Sequence, residues 1–417
     1  MAACCGKVID SLLEYNTSKI VHIKSKKVGL INRLIQLAII GYIIGYVIIY
    51  KKGYQEVEKP YSSVTTKLKG TSFTNLTGNE SFPLYGGPFV WDQADYVIPP
   101  EENDAFFVAT NMVITPDQRQ GTCPESPDIA NVKCTRDENC TRMEETSYGH
   151  GFQTGKCVPS DQEKGIKVCE VFAWCPVELD ITPMPQFPSL KDNKPLLDAR
   201  NFTVLIKNTV QFPSFGVSKR NIAPDADTST LKSCQYDKDT SPLCPIFRLE
   251  TITKEAGQDF NKLAYKGGVI GIIITWNCDF DSLLYSCEPV YSFRRLDNAN
   301  APIAKGYNFR HANYYVKNDT LHRTLFKAYG IRFVVTVTGQ GGKFNVVPLF
   351  LNLGSGLALL SIATVLCDVV VLYVLRRKEF YREKKYQYVV ENSSDEALVN
   401  RKPSYVKTET GYQNLIS

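Results

Sequence analysis

The chain carries two long apolar runs, one near each end, and between them a long segment whose apolar residues alternate or cluster over short distances. Leu34 to Tyr50 reads LIQLAIIGYIIGYVIIY, without a charge. With Val28 to Arg33 in front, the run is long enough to cross a roughly 30 Å hydrocarbon layer as a helix. Val346 to Leu375 is a second such run, uncharged except for Asp368. A buried core helix seldom runs this far without a polar face. A cleaved secretory signal starts closer to the N-terminus and ends in a small-residue cleavage site, which the first run lacks. The pattern predicts membrane helices over 28–50 and 346–375, with short ends at 1–27 and 376–417.

The intervening 51–345 is long enough for its own core. FFVATNMVI from Phe106, FTVLIKN from Phe202, GGVIGIIITW from Gly267 and GIRFVVTVTG from Gly330 are rich in Val, Ile, Thr and aromatics and bounded by Gly, Pro and Asn. That composition predicts strands. Residues 123–175 crowd six cysteines into a polar, Gly-rich stretch, which reads as a stapled subdomain too polar to hold itself together by burial. The tail after Tyr388 is polar and reads as disordered. The fold class is therefore membrane α+β, with two membrane helices and a large β-rich, disulfide-stapled domain between them.

Charge and cysteine chemistry orient this plan. The chain is 43% hydrophobic and 22% charged, an ordinary balance, and its net charge of +5 is too mild for a dedicated nucleic-acid binder. Lys7, Lys19, Lys24, Lys26, Lys27 and Arg33 precede the first run, and Arg376, Arg377, Lys378, Arg382, Lys384 and Lys385 follow the second. The positive-inside rule puts both ends in the cytosol, although Lys51 and Lys52 blur the bias. Ten of the 13 cysteines lie between the runs, an even set that reads as five disulfides in an oxidising compartment. Zinc is the rival, but there is no CxxC pair and only His150, His311 and His322 accompany them, so no metal is expected. Sequons begin at Asn75, Asn79, Asn139, Asn201 and Asn318, all in the same segment. Together these features place 51–345 outside the cell. Asp368 either faces protein or water within the bilayer or snorkels from near the cytosolic end. Asn352-Leu353-Gly354-Ser355-Gly356 suits close helix packing or a water-lined path. Two helices cannot enclose a pore, so a channel requires an oligomer.

Ordered motifs over about 15–385 make the chain resemble the ATP-gated cation channels, the ionotropic purinergic receptors. They include YNTSK at 15, KKVGL at 26, KKGYQ at 51, KLKG at 67, RQGTC at 119, FAWCP at 172 and NFTVLIKN at 201. CPIFRL at 244, WNCDFD at 276, YSFRRLDN at 291, GYNFR at 306, KAYGIRF at 327, and GSGLALL with ATVLCD in the second run complete the set. The resemblance implies a homotrimer, or a heterotrimer with related subunits, in the plasma membrane. Extracellular ATP, an agonist and not a cofactor, opens its pore to sodium, potassium and calcium. It also implies disulfides Cys123–Cys175, Cys134–Cys157, Cys140–Cys169, Cys234–Cys244 and Cys278–Cys287.

No P-loop motif is present, so side chains must hold a polyphosphate. Lys67 and Lys69 share one face of a strand by the period of two, as do Asn308 with Arg310, and Thr203 with Leu205 and Lys207. Taken without the resemblance, KLK and NFR are solvated strand faces. The resemblance assigns the phosphates to Lys67, Lys69, Asn308, Arg310 and Lys327, adenine to Thr203 and the sugar–base unit to Leu205, in a site between subunits. It sets the gate at Leu351, Asn352 and Ser355. Leu351, Ser355, Ala358 and Ile362 form one helical stripe, which either lines the axis or packs on the first helix. Val334 and Asn345 stand where the family usually has acids, and two lost carboxylates near the pore mouth bear on conductance. Thr17-Ser18-Lys19 resembles the family's kinase site and 381–385, YREKK, its surface-retention motif. YREKK reads equally as a basic stop-transfer run, and Cys4 and Cys5 as palmitoylation sites or as free thiols. An ectoenzyme acting on nucleotides needs a carboxylate cluster, a metal site or an activated nucleophile, and no such motif is present. A passive adhesion receptor explains neither the cations nor the glycine-bearing second run.

Overall fold

The computed structural model describes residues 26–76, 87–99, 102–144, 148–178, 196–222, 231, 233–282, 287–374, 379–380, 405–406 and 413–414. Cys4, Cys5, Thr17, Ser18, Lys19, Asn79, residues 381–385 and the side chain of Asn75 lie outside the described residues. The chain divides into two units, Glu56–Phe344 and the pair of segments Met1–Gln55 and Asn345–Ser417.

In the membrane unit, α1 (Lys26–Gly41) continues as a π-helical stretch through Tyr50. The spans run over Val28–Tyr50 and Val346–Val374, and only 6% and 22% of their most apolar stretches are buried within the chain. Lipid or neighbouring chains must cover the remainder.

The unit Glu56–Phe344 contains, in chain order, β1 (Gln55–Glu58, entering from the other unit), β2 (Tyr61–Lys69), β3 (Ser72–Leu76), β4 (Gly87–Trp91), α2 (Gln93–Tyr96) and β5 (Ala105–Pro124). Next come β6 (Phe152–Pro159), β7 (Lys167–Cys175), β8 (Thr203–Phe212), β9 (Val217–Arg220), β10 (Ile246–Arg248), α3 (Leu249–Glu255) and α4 (Phe260–Lys266). β11 (Gly268–Asp279), β12 (Pro289–Arg295), β13 (Asn308–Lys317) and β14 (Thr320–Phe344) complete it. The larger sheet runs β12-β11-β14-β5-β7-β6, with β13 also paired to β14. The smaller runs β10-β8-β2, with β9 on β8. β14 is long enough to take two partners in succession along one edge: Thr320–Tyr329 pairs with β13 and Ile331–Gly342 with β11. Gly330 stands at the changeover, where a Cβ would come within 2.0 Å of the Val108 carbonyl, so only glycine fits.

Strand period builds the core. On β8, Val204, Ile206, Asn208, Val210 and Phe212 are buried, while Thr203, Leu205, Lys207 and Thr209 face outward. The inner set packs against Ile270, Ile272, Ile274 and Trp276 of β11 in one apolar cluster. Two buried asparagines fasten the sheets. Trp276 Nε1 donates to Asn208 Oδ1 at 2.7 Å, and Asn221 Nδ2 donates to the Ile206 carbonyl at 2.7 Å and to the Tyr291 hydroxyl at 3.1 Å.

The disulfides join Cys123–Cys175, Cys134–Cys157, Cys140–Cys169, Cys234–Cys244 and Cys278–Cys287, the pairs that the resemblance implies. The sulfurs of Cys134, Cys140 and Cys169 lie within 4.8 Å of one another, yet each belongs to a disulfide, so they offer no thiolate to a metal. The cysteine-rich stretch differs from its sequence reading. Its β7 pairs with β5 from Arg119 to Pro124 and buries Val168, Cys169 and Val171 completely. Backbone ladder and burial therefore share the work with the disulfides. Asn139, Asn201 and Asn318 are exposed. Asn139 receives its hydrogen bonds from Thr135 and Arg136 at Oδ1, not at the nitrogen a glycan would take.

α5 (Val346–Val369) runs on as a π-helical turn, Val370–Val374. Gly356 lies against α1's continuation so closely that an added Cβ would meet Ile43 Cδ1 at 2.9 Å, and Val28, Cys367 and Val371 pack together further along. The residues facing the first span are thus Gly356, Ala363 and Cys367, while Leu351, Ser355, Ala358 and Ile362 are exposed on another face.

Candidate functional site: two cationic strand pairs

The antiparallel register of β2 and β8 sets Lys69 opposite Thr203, Lys67 opposite Leu205 and Thr65 opposite Lys207. Directly opposed residues point to the same side of a sheet. The inward alternation that buries Val204 and Ile206 therefore turns Lys67, Lys69, Thr203, Leu205 and Lys207 onto one outer face. The three lysines are exposed, and Thr203 and Leu205 are half-buried. Lys67 and Lys69 line a cleft of about 870 Å³, with Gln93, Glu102 and Asp104 among its other walls. Lys207 lines another of about 940 Å³ with Lys219 and Arg220, cations on β9 whose four-residue strand carries no periodic signal.

The second group forms on β13 and β14. Arg310 lies opposite Lys327 and Asn308 opposite Tyr329. Arg310 Nε donates to Glu178 Oε2 at 2.6 Å, and Lys327 Nζ lies 3.9 Å from Glu178 Oε1. The side chains of Lys327 and Glu178 are 6% and 5% exposed, that of Arg310 46%. A buried carboxylate thus sits between two of the cations assigned to phosphate. Glu178 was not singled out in the sequence, where 132 residues separate it from Arg310. Its one local signal is the acid that follows FAWCP. Arg310 and Glu178 line a cleft of about 660 Å³ with Gln118, Trp174 and Arg323. The Arg323 guanidinium lies 4.4 Å from the Trp174 ring and donates to Gln118 Oε1 at 2.8 Å, so packing fixes it. His311, next to Arg310, stacks on Phe326 at 4.9 Å, and burial pushes its pKa down, so it stays neutral and adds no charge.

Within one chain Lys67 and Lys69 line one cleft and Arg310 another. Each group sets cations and hydrogen-bonding side chains on rigid strands.

The two departures, Val334 and Asn345, fall on different elements. Val334 sits mid-sheet between Ala105 and Gly271, ten residues before the end of β14 at Phe344, or roughly 33 Å along the strand. Asn345 is at the start of α5, where its side chain accepts from Val347 N at 2.9 Å and caps the helix. Asn352 lies a quarter turn from the exposed stripe, and its Nδ2 donates to the Gly53 carbonyl at 2.6 Å.

A family model described as ATP P2X receptor matches residues 13–388. P2X purinoceptor 4 of Mus musculus is 49% identical over 93% of this chain and 97% of its own length. P2X purinoceptor 5 of Homo sapiens is 44% identical over 95% of this chain and 86% of its own. The crystal structure of a P2X receptor from the Gulf Coast tick, in the presence of ATP and zinc ion, aligns with TM-score 0.73 and 46% identity, covering 82% of this chain and all of that one. The chicken ATP-gated P2X7 receptor channel, with the competitive antagonist TNP-ATP, aligns with TM-score 0.69 and 40% identity over 82% of this chain and 99% of its own. The strands that carry both groups and both membrane spans lie within the matched residues, and the chain belongs to the ATP P2X receptor family.

Proposed function

We propose that this chain is one subunit of a trimeric, non-selective cation channel in the plasma membrane, opened by extracellular ATP bound between subunits. The observation that carries the reading is the pair of cationic groups. Lys67, Lys69, Thr203 and Leu205 share one outer face, and Asn308, Arg310 and Lys327 lie together on β13–β14. The triphosphate is held by Lys67, Lys69, Asn308, Arg310 and Lys327. Thr203 takes a hydrogen bond to adenine and Leu205 packs on the sugar–base unit. Charge-assisted bonds from lysine and arginine to phosphate are strong and geometrically selective. Three second spans surround the axis, and Leu351, Ser355 and Ala358 form the constriction, a ring of leucines that blocks ions by dewetting. Both termini are cytosolic, and the sequon asparagines carry glycans outside. Sodium, potassium and calcium pass.

Whole-cell recording during ATP application tests this directly. ATP evokes a cation current, and Lys69→Ala shifts the dose–response roughly thirty-fold to several thousand-fold, the effect of losing one cation from a desolvated charge pair. Lys207→Ala, further along the strand, costs less. An unchanged dose–response for Lys69→Ala at normal surface density refutes the site. No ATP current from surface-expressed chains refutes the function.

A further inference from the structure

We infer that Asn352 is a positioning residue that fixes the rotation of the pore helix, so that the Leu351–Ser355 stripe closes the axis when ATP is absent. This rests on the gate assignment above and adds to it. The first span ends in a wide π turn in which Lys51 N bonds the Tyr46 carbonyl at 2.8 Å and Gly53 N the Val47 carbonyl at 3.0 Å. Lys52 takes a positive φ of 52° and turns the chain. Two successive carbonyls then meet the second helix. Gly53 O accepts from Asn352 Nδ2 at 2.6 Å, and Tyr54 O accepts from Asn345 N at 3.1 Å.

Asn345 caps α5 and Asn352 lies seven positions on, so the two attachments are roughly 10 Å apart along its axis, the second on the Asn352 face. One attachment would leave the helix free to swivel, whereas two restrain both rotation and sliding. Leu351, Ser355, Ala358 and Ile362 lie about a quarter turn round the helix from that face. Whatever holds the Asn352 face against the end of the first span therefore aims this stripe. Gly53 belongs to the same device. A Cβ there would meet the Val47 carbonyl at 2.8 Å and Asn352 Nδ2 at 3.0 Å, so any larger residue pushes into the bond. An amide donor at the edge of the hydrocarbon layer has no bulk water to fall back on, which favours the bonded arrangement.

The experiment uses the full-length channel carrying Ser355→Cys in a Cys367→Ala background and measures modification by a thiol-reactive cation, with and without ATP. Asn352→Leu keeps the branched shape and removes the donor. It is expected to raise the rate without ATP about three- to tenfold, the weight of one hydrogen bond on the closed arrangement. The ATP-saturated rate should stay unchanged, and a standing current without ATP should appear. Asn352→Gln, which keeps an amide donor, should return the rate toward the parent's. Gly53→Ala attacks the same bond from the other side and should shift the rate in the same direction, which covers a failure of Asn352→Leu to reach the surface. A state-dependent parent whose rate without ATP ignores both substitutions overturns the positioning role alone. Equal rates with and without ATP in the parent overturn the gate assignment and this inference with it.

Discussion

Glu178 lies where the proposed ligand must compete with the protein's own carboxylate. Its Oε2 accepts from Arg310 Nε at 2.6 Å, and its Oε1 lies 3.9 Å from Lys327 Nζ. If phosphate takes these cations, it must displace Glu178 or share them with it. Glu178→Gln keeps the shape and removes the charge. A full charge at about 4 Å is worth about 4 kcal/mol in a partly screened protein setting. Arg310 is 46% exposed, so solvent and the lost desolvation balance reduce the net to about 1–2 kcal/mol. That predicts an ATP dose–response shifted to lower concentration by roughly five- to thirty-fold. The same substitution leaves two cations facing each other around a neutral amide and should lower the amount of folded protein, which surface labelling reads independently of potency. The assay is whole-cell current against ATP concentration for the parent, Glu178→Gln, Arg310→Ala and the double variant. Arg310→Ala alone shifts the curve to higher ATP. In its background the Gln substitution should give a smaller gain, because the pair it would break is already gone. An unchanged or right-shifted curve for Glu178→Gln, at normal surface density and maximal current, refutes the competition.

Two further outcomes follow from placement. Asn345→Asp keeps the helix cap and adds one negative charge per subunit at the start of the pore helix, so single-channel conductance should rise, most at low ionic strength. Val334→Asp, some 33 Å up the strand, should leave conductance unchanged, and equal effects of the two would refute the distinction. The other outcome concerns pH. Burial pushes the Glu125 carboxyl up, but hydrogen bonds from the His150 side chain at 2.6 Å and from the backbone N–H groups of His150 and Ser126 outweigh it and hold the pKa low. A lowered folded-state pKa gives stability that is present above the ordinary glutamate value of about 4.3 and is lost as pH falls through the folded-state value. Thermal unfolding of the purified trimer should therefore weaken below about pH 4, and Glu125→Gln should flatten that dependence while lowering stability at neutral pH.

What could be read from the chain is what local period carries. The alternation Thr203, Leu205, Lys207 against Val204, Ile206, Asn208 announces which side of β8 faces out, and two long apolar runs announce the spans. Tertiary direction is not local. Asn352 follows Leu351 by one residue, and nothing local announces that its amide turns to Gly53, 299 positions away. Val334 and Asn345 are only eleven residues apart in the chain, but ten of those steps are extended strand, which covers distance at about twice the rate of a helix. Glu178 is the largest omission for the same reason, since a countercharge is defined by its neighbour in space.

The division of the site has a thermodynamic consequence for assembly. Lys67 and Lys69 line one cleft of the chain and Arg310 another, so under the function proposed above an isolated subunit would meet the triphosphate with half of its cations. In the proposed site the missing half belongs to the next subunit, so each chain would offer its two faces to two different neighbours. Occupancy and subunit contact are then linked. A ligand that binds only the assembled face stabilises the assembly by about 2.7 kcal/mol when present at a hundred times its dissociation constant. The same linkage makes the channel's opening an interface event. The energy available to move the pore helices is the difference in ATP affinity between two arrangements of neighbouring chains, because a ligand that binds both arrangements equally shifts neither. Glu178 bears on that balance: it hydrogen-bonds Arg310 and lies 3.9 Å from Lys327, so a phosphate that takes these cations would have to compensate the carboxylate it displaces.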